Sequence, residues 1–354
     1  MKRHFEVLDG LRGVAALLVV CFHIFQVHFP SPFDNPLHHA YLAVDFFFLL
    51  SGFVIGYAYD DRWPQMTIKD FLKLRIIRLH PLVIFSILVG AFLYLKDPFY
   101  PNQQQVGDFR FTVVIVLGML LIPSPSLPNH HNETHPLNGP CWSLLQEYLV
   151  NMIYALVAPR LRQRTLIKIV IISGLALACT ALWNGDLQGG WGWTNCWMAP
   201  IRVAFPFFTG LLLFRMRTVF SVPRAFPLLS LLLLVIFALP HFKYNGFYEA
   251  VCVLFIFPLL IAAGAGARAG GWMAGLCRFL GQLSYPLYIT HYPFIYLYMH
   301  WVAERHPSGR LTLEVGAALA VFLVLFAWLT LRLYDEPFRK WISSYGRKWY
   351  NALR

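Results

Sequence analysis

The segment LDGLRGVAALLVVCFHIFQVH, residues 8–28, decides the fold that the sequence predicts. It is long and apolar enough for a membrane-spanning helix, which needs about 20 residues. Two ionisable side chains, Arg12 and His23, interrupt it. Their separation is close to three helical turns, so both project from one face, roughly 16 Å apart along the axis. Ionisable groups inside a spanning helix are costly and mark a functional site by default.

Two interpretations of this pair remain open from the spacing alone. In the first, Arg12 grips an anion at one end of the helix and His23 carries out proton chemistry at the other. In the second, Arg12 is a topological anchor at the headgroup level and His23 is a hydrogen-bonded core histidine.

The composition indicates an integral membrane protein with many spans. The chain has 354 residues, of which 58% are hydrophobic and 13% charged, against about 25% charged in a soluble protein. The net charge of +12 is interpreted as loop charge that sets orientation or binds anions, so the predicted partner is the lipid bilayer and no nucleic acid. The six cysteines lack CxxC spacing and predict neither a metal site nor a disulfide framework.

Ten apolar runs are wide enough to span a membrane, and an eleventh, residues 111–122, has only about a dozen residues. This short run suits a re-entrant or interfacial segment. The predicted fold is therefore an all-α polytopic membrane protein with about ten transmembrane helices. The ten runs are residues 8–28, 41–59, 79–96, 141–158, 166–183, 198–214, 226–241, 246–263, 279–301 and 311–333.

The basic loops support this count. Cytoplasmic loops carry an excess of Lys and Arg, and the arginines and lysines of residues 60–78, 160–168, 215–224, 268–278 and 339–354 all fall on one side if the short run does not cross. If it crossed, every later basic loop would face the other side. Both termini are therefore predicted to be cytoplasmic.

Two acidic residues are predicted at the depth of His23 in this topology. Asp45 opens the second span, where its carboxylate could accept the other ring N–H of the imidazole and fix its tautomer; the alternative is that it caps the helix start. Glu147 lies about two turns inside the fourth span, where it is a candidate second acid or hydroxyl-orienting group.

A pair of arginines, Arg75 and Arg78, precedes the third span on the predicted cytoplasmic side. Residues at i and i+3 share a helix face, and two guanidinium forks can bind phosphate oxygens. With Arg12 they form a candidate three-arginine pocket for a phosphorylated ligand. The alternative is a basic anchor of the kind that sets topology.

The polar loop at residues 123–140 contains three histidines and a glutamate without regular ligand spacing, so a solvated loop and no metal site are predicted. His291 lies in a proline-interrupted helix and is interpreted as structural. The loop residues are His130, His131, Glu133 and His135.

In their order and spacing, the motifs resemble one family, the integral-membrane acyltransferase-3 family, which includes O-acetyltransferases of bacterial surface polysaccharides. The resemblance covers nearly the whole chain. It rests on LDGLRG followed by His23, on DFFF at 45–48 and SGF at 51–53, on RIIR at 75–78, on WSLLQE at 142–147, on SYPLY at 284–288 with His291, and on Glu336-Pro337.

The resemblance implies ten membrane helices, an acyl-CoA donor bound from the cytoplasm and transfer of the acyl group, acetyl above all, to an outer acceptor such as a carbohydrate or lipid-linked sugar hydroxyl. Arg12, Arg75 and Arg78 would hold the CoA phosphates, His23 would be the essential histidine and Glu147 matches the family's acidic position. No tightly bound cofactor is implied, and the expected location is the bacterial inner membrane. Two departures are a missing residue between Glu336 and Pro337 and the lack of an appended hydrolase-like domain. We therefore expect residues 1–354 to be one membrane domain, acting alone or with a separate polysaccharide-biosynthesis protein.

The placement of these residues and the resemblance to the acyltransferase-3 family together suggest a mechanism, which is stated here as a hypothesis. His23, oriented by Asp45 or Glu147, takes the proton from an acceptor hydroxyl as that oxygen attacks the thioester; a covalent acyl-histidine is the rival route. A different class of function is a transporter or flippase of an anionic glycolipid, for which the expected inverted repeats are not evident. Release of free CoA thiol would distinguish the two.

Overall fold

The computed structural model describes residues 4–29, 31, 33–100, 106–128 and 130–342, and every regular element in these ranges is helical. Short 3₁₀ segments, His38–Leu42 and Asp60–Gln65, flank α2, and π turns, Cys252–Ile256 and Leu331–Asp335, follow α9 and α13. The α-helices are α1 Glu6–His28, α2 Ala43–Tyr59, α3 Ile68–Leu95, α4 Asp108–Met119, α5 Cys141–Val157, α6 Gln163–Asn184, α7 Met198–Met216, α8 Ala225–Ala238, α9 Asn245–Val251, α10 Phe257–Gly266, α11 Gly271–Thr290, α12 Tyr292–Arg305 and α13 Gly309–Thr330.

Seven helical stretches in the described part of the chain are long and apolar enough to cross a membrane. This confirms the all-helical class, whereas the count of ten spans stays a prediction. So does the cytoplasmic placement of the termini, because residues 1–3 and 343–354 lie outside the described ranges. The seven are Glu6–His28, His38–Gln65, Ile68–Leu95, Gln163–Asn184, Met198–Met216, Asn245–Gly266 and Gly309–Ile342.

The short apolar run at 111–122 is indeed a short helix, α4, of 12 residues. The run at 279–301, by contrast, is divided into two helices at His291. Proline explains the division, because Pro293 occupies the first turn of α12, where the missing N–H costs nothing, and disfavours helical backbone before it.

The described residues fall into two compact units, each built from two separated stretches of chain. The first comprises Met1–Gln65 and Trp142–Tyr285, and the second comprises Met66–Cys141 and Pro286–Arg354. The prediction of one domain over residues 1–354 stays a prediction.

The first unit is organised by the packing of α2 on α7. A methyl group on Gly52 would lie 1.9 Å from the carbonyl oxygen of Phe207, and one on Gly210 would lie 2.0 Å from that of Leu49. Only glycine permits this approach of the two backbones, as expected of small residues between membrane helices. The close contact fixes α2, and with it Asp45, against α7.

Helix α1 packs in the first unit against α2, α8 and α10. Its buried side chains recur at helical spacing and form the face that anchors it. Arg12 and His23 are both half-buried along this uninterrupted helix. The buried apolar residues include Leu8, Leu11, Ala15, Val19, Phe22 and Ile24.

In the second unit α3 packs against α4 and α12. A methyl on Gly90 of α3 would lie 2.2 Å from the carbonyl oxygen of Leu137, so the chain before α5 lies directly on this helix. The Thr67 hydroxyl and the Asp70 carboxylate form a capping box that fixes the start of α3. Arg75 and Arg78 follow two to three turns later.

Candidate functional site

The imidazole of His23 has a partner on its own helix. Its Nδ1 lies 2.9 Å from Oε1 of Gln26, three residues further along α1. Because an amide oxygen only accepts, this bond places the ring proton on Nδ1 and makes Nε2 the basic nitrogen. The sequence argument did not name Gln26, although the i, i+3 spacing predicts that the two side chains are neighbours.

Arg12 joins α1 to α11. Its Nε donates to the Ser284 hydroxyl at 2.9 Å, and its Nη2 donates to the Gly281 carbonyl at 2.8 Å and to Asp9 Oδ1 at 3.0 Å. The side chain is about a quarter exposed, and within the described residues nothing accepts from Nη1. Arg12 thus has a structural role in this unit and keeps one edge of its guanidinium for a further acceptor.

Asp45, the predicted partner of His23, instead forms an ion pair with Arg202 of α7. Nε of Arg202 donates to Oδ1 at 3.2 Å and Nη2 donates to Oδ2, and the side chains are 0% and 2% exposed. The guanidinium also donates to the carbonyls of Gly189 and Tyr41 and lies 5.4 Å from the ring centre of Trp142. The buried charge of Asp45 is therefore neutralised within the unit.

Glu147 of α5 accepts from two neighbours. The Ser51 hydroxyl of α2 donates to its Oε1 at 2.5 Å, and the Asn151 amide donates to the same oxygen at 3.1 Å. These bonds join the SGF and WSLLQE motifs in one place. Glu147 is half-buried.

The two arginines of the RIIR motif differ in burial. Arg75 is buried, at 6% exposure, whereas Arg78 is exposed. Both belong to the second unit, and Arg12, Asp45, Glu147 and His23 belong to the first. In the terminal motif of the second unit, Asp335 pairs with Arg339 and Glu336 with Arg332.

The loop before α5 is buried, and the prediction of a solvated loop was wrong. Glu133 is 2% exposed and accepts from the hydroxyls of Tyr292 and Tyr296, and burial raises its pKa to about 8. Burial lowers the pKa of His130 to about 3 and that of His135 to about 4. The loop folds inward because the backbone carbonyls of Pro136 and Leu121 accept from these two histidines.

The imidazole of His291 contacts two nearby backbone carbonyls: its Nδ1 lies 2.8 Å from the Tyr288 oxygen and 3.1 Å from the Leu287 oxygen. Both carbonyls belong to the last turn of α11, so the imidazole is bonded to the end of the helix that precedes it. The structural role of His291 stays a prediction.

Sequence reasoning missed two intramembrane charges, Arg202 and Glu249. Each is a single ionisable residue in an apolar run, which is the signal that singled out Glu147. Glu249 is 0% exposed and accepts from the Tyr41 hydroxyl, the Asn245 amide and, at 2.5 Å, the backbone N–H of Leu187. Together with the Asp45–Arg202 pair, these bonds make a buried polar cluster around the start of α2.

Comparison with known proteins agrees with the sequence resemblance. A family model described as an acyltransferase domain matches residues 5–332. Protein 2 in the picA locus of Rhizobium radiobacter is 34% identical over 50% of this chain and 94% of its own length. Acyltransferase MdmB of Streptomyces mycarofaciens is 26% identical over 80% of this chain and 77% of its own length.

A third relative is longer than the matched region. The peptidoglycan O-acetyltransferase OatA of Listeria monocytogenes is 24% identical over 96% of this chain, which spans 56% of that protein. No solved structure matches the chain.

Proposed function

Because the chain belongs to the acyltransferase family whose model it matches over residues 5–332, we propose that it is a membrane-bound O-acyltransferase. It moves an acyl group, acetyl in the first instance, from cytoplasmic acyl-CoA to a hydroxyl of a surface or exported carbohydrate at the outer side of the membrane. The O-acetyltransferase name of a relative aligned over 96% of the chain supports an oxygen acceptor and an acetyl group.

The observation that carries the proposal is the position of His23. It is an imidazole on a long apolar helix, held by Gln26 so that Nε2 is its basic nitrogen. Nε2 takes the proton of the acceptor hydroxyl while that oxygen attacks the thioester carbonyl. The C–S bond then breaks, and the proton passes to the departing CoA sulfur. The histidine is thereby returned to its starting form.

Three arginines are proposed to bind the phosphates of acyl-CoA. Arg78 offers an exposed guanidinium and Arg75 a buried one, and a fork of this kind binds phosphate in a bidentate manner. Arg12 contributes through the edge that Asp9, Gly281 and Ser284 leave unused. Arg12 also lies on the same helix as His23, which supports a donor held along α1.

The two acidic residues are proposed to act differently from one another. Glu147, which is half-buried and bonded to Ser51, orients the acceptor hydroxyl. Asp45 is a positioning residue: its ion pair with Arg202 fixes the start of α2 and the polar cluster there. Orientation of the imidazole falls to Gln26.

The proposed setting is the inner, or plasma, membrane of a bacterium, with both termini in the cytoplasm and about ten spans. The seven long apolar helices support a multi-pass membrane protein, and the basic loops support the orientation. A separate polysaccharide-biosynthesis protein is a proposed partner.

The test is acyl transfer by membranes that contain the wild-type chain. Acetyl-CoA labelled in the acetyl group is added with envelope carbohydrate, and label in the carbohydrate is measured beside the CoA thiol released. We expect the two to appear in equal amounts and only in membranes with the chain. Movement of an anionic glycolipid across the membrane with no thiol release would instead support the transporter.

A further inference from the structure

The polar cluster at the start of α2 brings together imidazole and carboxylate groups that the proposed reaction does not use. His38 and His39 lie in the 3₁₀ segment before α2, and Glu249 lies in α9. One donor atom of each lies within 4.8 Å of the other two, and the residues are 3%, 0% and 0% exposed. We propose that these three residues form a binding site for a divalent transition-metal ion, zinc in the first instance.

The ring of His39 is oriented as metal-bound imidazoles are. Its Nδ1 lies 2.8 Å from the backbone carbonyl of Leu239, which can only accept, so Nδ1 carries a proton. Its Nε2 faces the cluster, 3.6 Å from Glu249 Oε1. A backbone carbonyl on the outer nitrogen fixes the tautomer and raises the basicity of the inner one.

The carboxylate is oriented in the same way. Oε2 of Glu249 accepts from the backbone N–H of Leu187 at 2.5 Å. Oε1 faces the cluster, where the Tyr41 hydroxyl and the Asn245 amide donate to it. His39 and Glu249 are thus each held by a backbone group on the atom that does not face the cluster, as expected of a preorganised metal site.

The amide of Asn245 lies against Nε2 of His39. Asn245 directs its nitrogen at Glu249, so its Oδ1 is the atom that lies 2.6 Å from Nε2. Two lone pairs facing each other at this distance would repel. A cation beside Nε2 removes this repulsion, either as a second proton on the imidazole or as a metal ion.

The surrounding imidazoles favour the metal ion. The ring centre of His38 lies 4.7 Å from that of His39 and 5.0 Å from that of His241. Nδ1 of His241 is buried and has no hydrogen-bond partner within the described residues. A second proton on His39 would not account for the grouping of three imidazoles with a carboxylate. Zn²⁺ would, because it takes nitrogen and oxygen ligands, typically two or three histidines with a carboxylate.

The site joins the 3₁₀ segment before α2 to α9. Tyr41 links it to the Asp45–Arg202 pair, since its backbone carbonyl accepts from Arg202 and its hydroxyl donates to Glu249. A bound ion would therefore stabilise the folded chain and leave acyl transfer to His23. This inference does not depend on the proposed function.

The experiment uses the full chain in detergent without a polyhistidine tag. It is equilibrated with Zn²⁺, passed through a desalting column and analysed for metal by mass spectrometry. We expect about one zinc ion per chain, a loss of most of it in His39→Gln and Glu249→Gln, and full retention in the exposed controls His306→Gln and Glu304→Gln. Zinc that stays bound in all four variants would overturn the assignment.

A second measurement covers the case in which the cluster variants do not fold. The thermal midpoint of the wild-type chain is measured after chelation and after return of Zn²⁺ or Mg²⁺, and Co²⁺ is added to read its visible absorption. We expect Zn²⁺, and not Mg²⁺, to raise the midpoint by several degrees, and Co²⁺ to show the intense bands of a tetrahedral site. No zinc retained and no shift would mean that the cation beside His39 is a proton.

Discussion

Nδ1 of His23 lies 2.9 Å from Oε1 of Gln26, one helical turn further along α1. The bond assigns the two ring nitrogens different chemistry, because the nitrogen that donates to the amide oxygen cannot take a proton. With the proton on Nδ1, Nε2 is the nitrogen that can act as a general base. Gln26 holds the imidazole in that form without adding a charge to the membrane interior.

Removing this support should slow catalysis without abolishing it. In Gln26→Ala the ring can rotate and change tautomer, and we expect kcat to fall roughly 10- to 100-fold, a part of what a positioned general base contributes. The measurement is CoA thiol release at saturating acetyl-CoA. The control is Gln163→Ala, an exposed glutamine at the start of α6; an equal rate in both variants would contradict the role of Gln26.

The Asp45–Arg202 pair should matter for stability more than any exposed ion pair. Arg202→Met leaves the Asp45 carboxylate buried without a counter-charge, which costs about 3–5 kcal/mol, whereas the double variant with Asp45→Leu should recover most of that loss. The midpoint of thermal unfolding in detergent is the measurement.

The matched control for this pair is Arg310→Met, which breaks the exposed pair with Glu314 and should cost less than about 1 kcal/mol. If Arg202→Met and Arg310→Met shift the midpoint equally, the buried pair does not stabilise the fold as described.

The helices themselves were predictable, and their polar partners were not. The apolar runs predicted both ends of α1, α6 and α7, and the end of α3, to within a few residues, because the membrane requires continuous apolar segments. Helix α3 begins well before its apolar run. Asp45 and Arg202 are 157 residues apart, and no local pattern says which of several intramembrane charges will meet. The alignment of motifs identified the family, but pairing depends on how α2 packs against α7.

Burial of the loop before α5 was also outside the reach of the sequence argument. Its histidines and glutamate have the composition of a solvated loop. His130, Glu133 and His135 are nevertheless buried, because the hydroxyls of Tyr292 and Tyr296 bind the glutamate and backbone carbonyls bind the two histidines. Gln26, by contrast, was within reach, since a side chain three residues after a histidine on a helix is its neighbour.

Glu133 should make stability depend on pH. Burial raises its pKa from 4.5 to about 8, so the folded chain binds this proton more tightly than the unfolded chain. Below about pH 4.5 the protonated Glu133 side chain makes its full favourable contribution to the free energy of unfolding. Between about pH 4.5 and pH 8 that free energy should fall by up to about 1.4 kcal/mol per pH unit as the pH rises. Above about pH 8 the contribution of Glu133 to stability is fully lost.

The test compares Glu133→Gln, which has no proton to lose, with the wild-type chain across this pH range. We expect a flatter dependence of the thermal midpoint in the variant. The exposed Glu304→Gln serves as control and should follow the wild type. Parallel curves for Glu133→Gln and wild type would show that Glu133 does not titrate in this range.

The arginines of α3 should act on donor binding. We expect two variants, Arg78→Ala and Arg75→Lys, to raise KM for acetyl-CoA by roughly 10-fold, with a smaller effect on kcat. Arg75→Lys keeps the positive charge but loses the bidentate fork of the guanidinium. Lys73→Ala, an exposed cation on the same helix, is the control. An unchanged KM in both arginine variants would remove them from the donor site.

The proposed role of His23 is tested by acetyl transfer in membranes that contain His23→Ala or His28→Ala at equal amounts. Both variants remove a half-buried imidazole from α1, but only His23 is proposed to take the acceptor proton. The measurement is acetylated envelope carbohydrate by mass and CoA thiol by colour. We expect His28→Ala to keep most of the wild-type rate and His23→Ala to lose both products. Equal rates in the two variants would contradict that expectation and make His23 a structural residue.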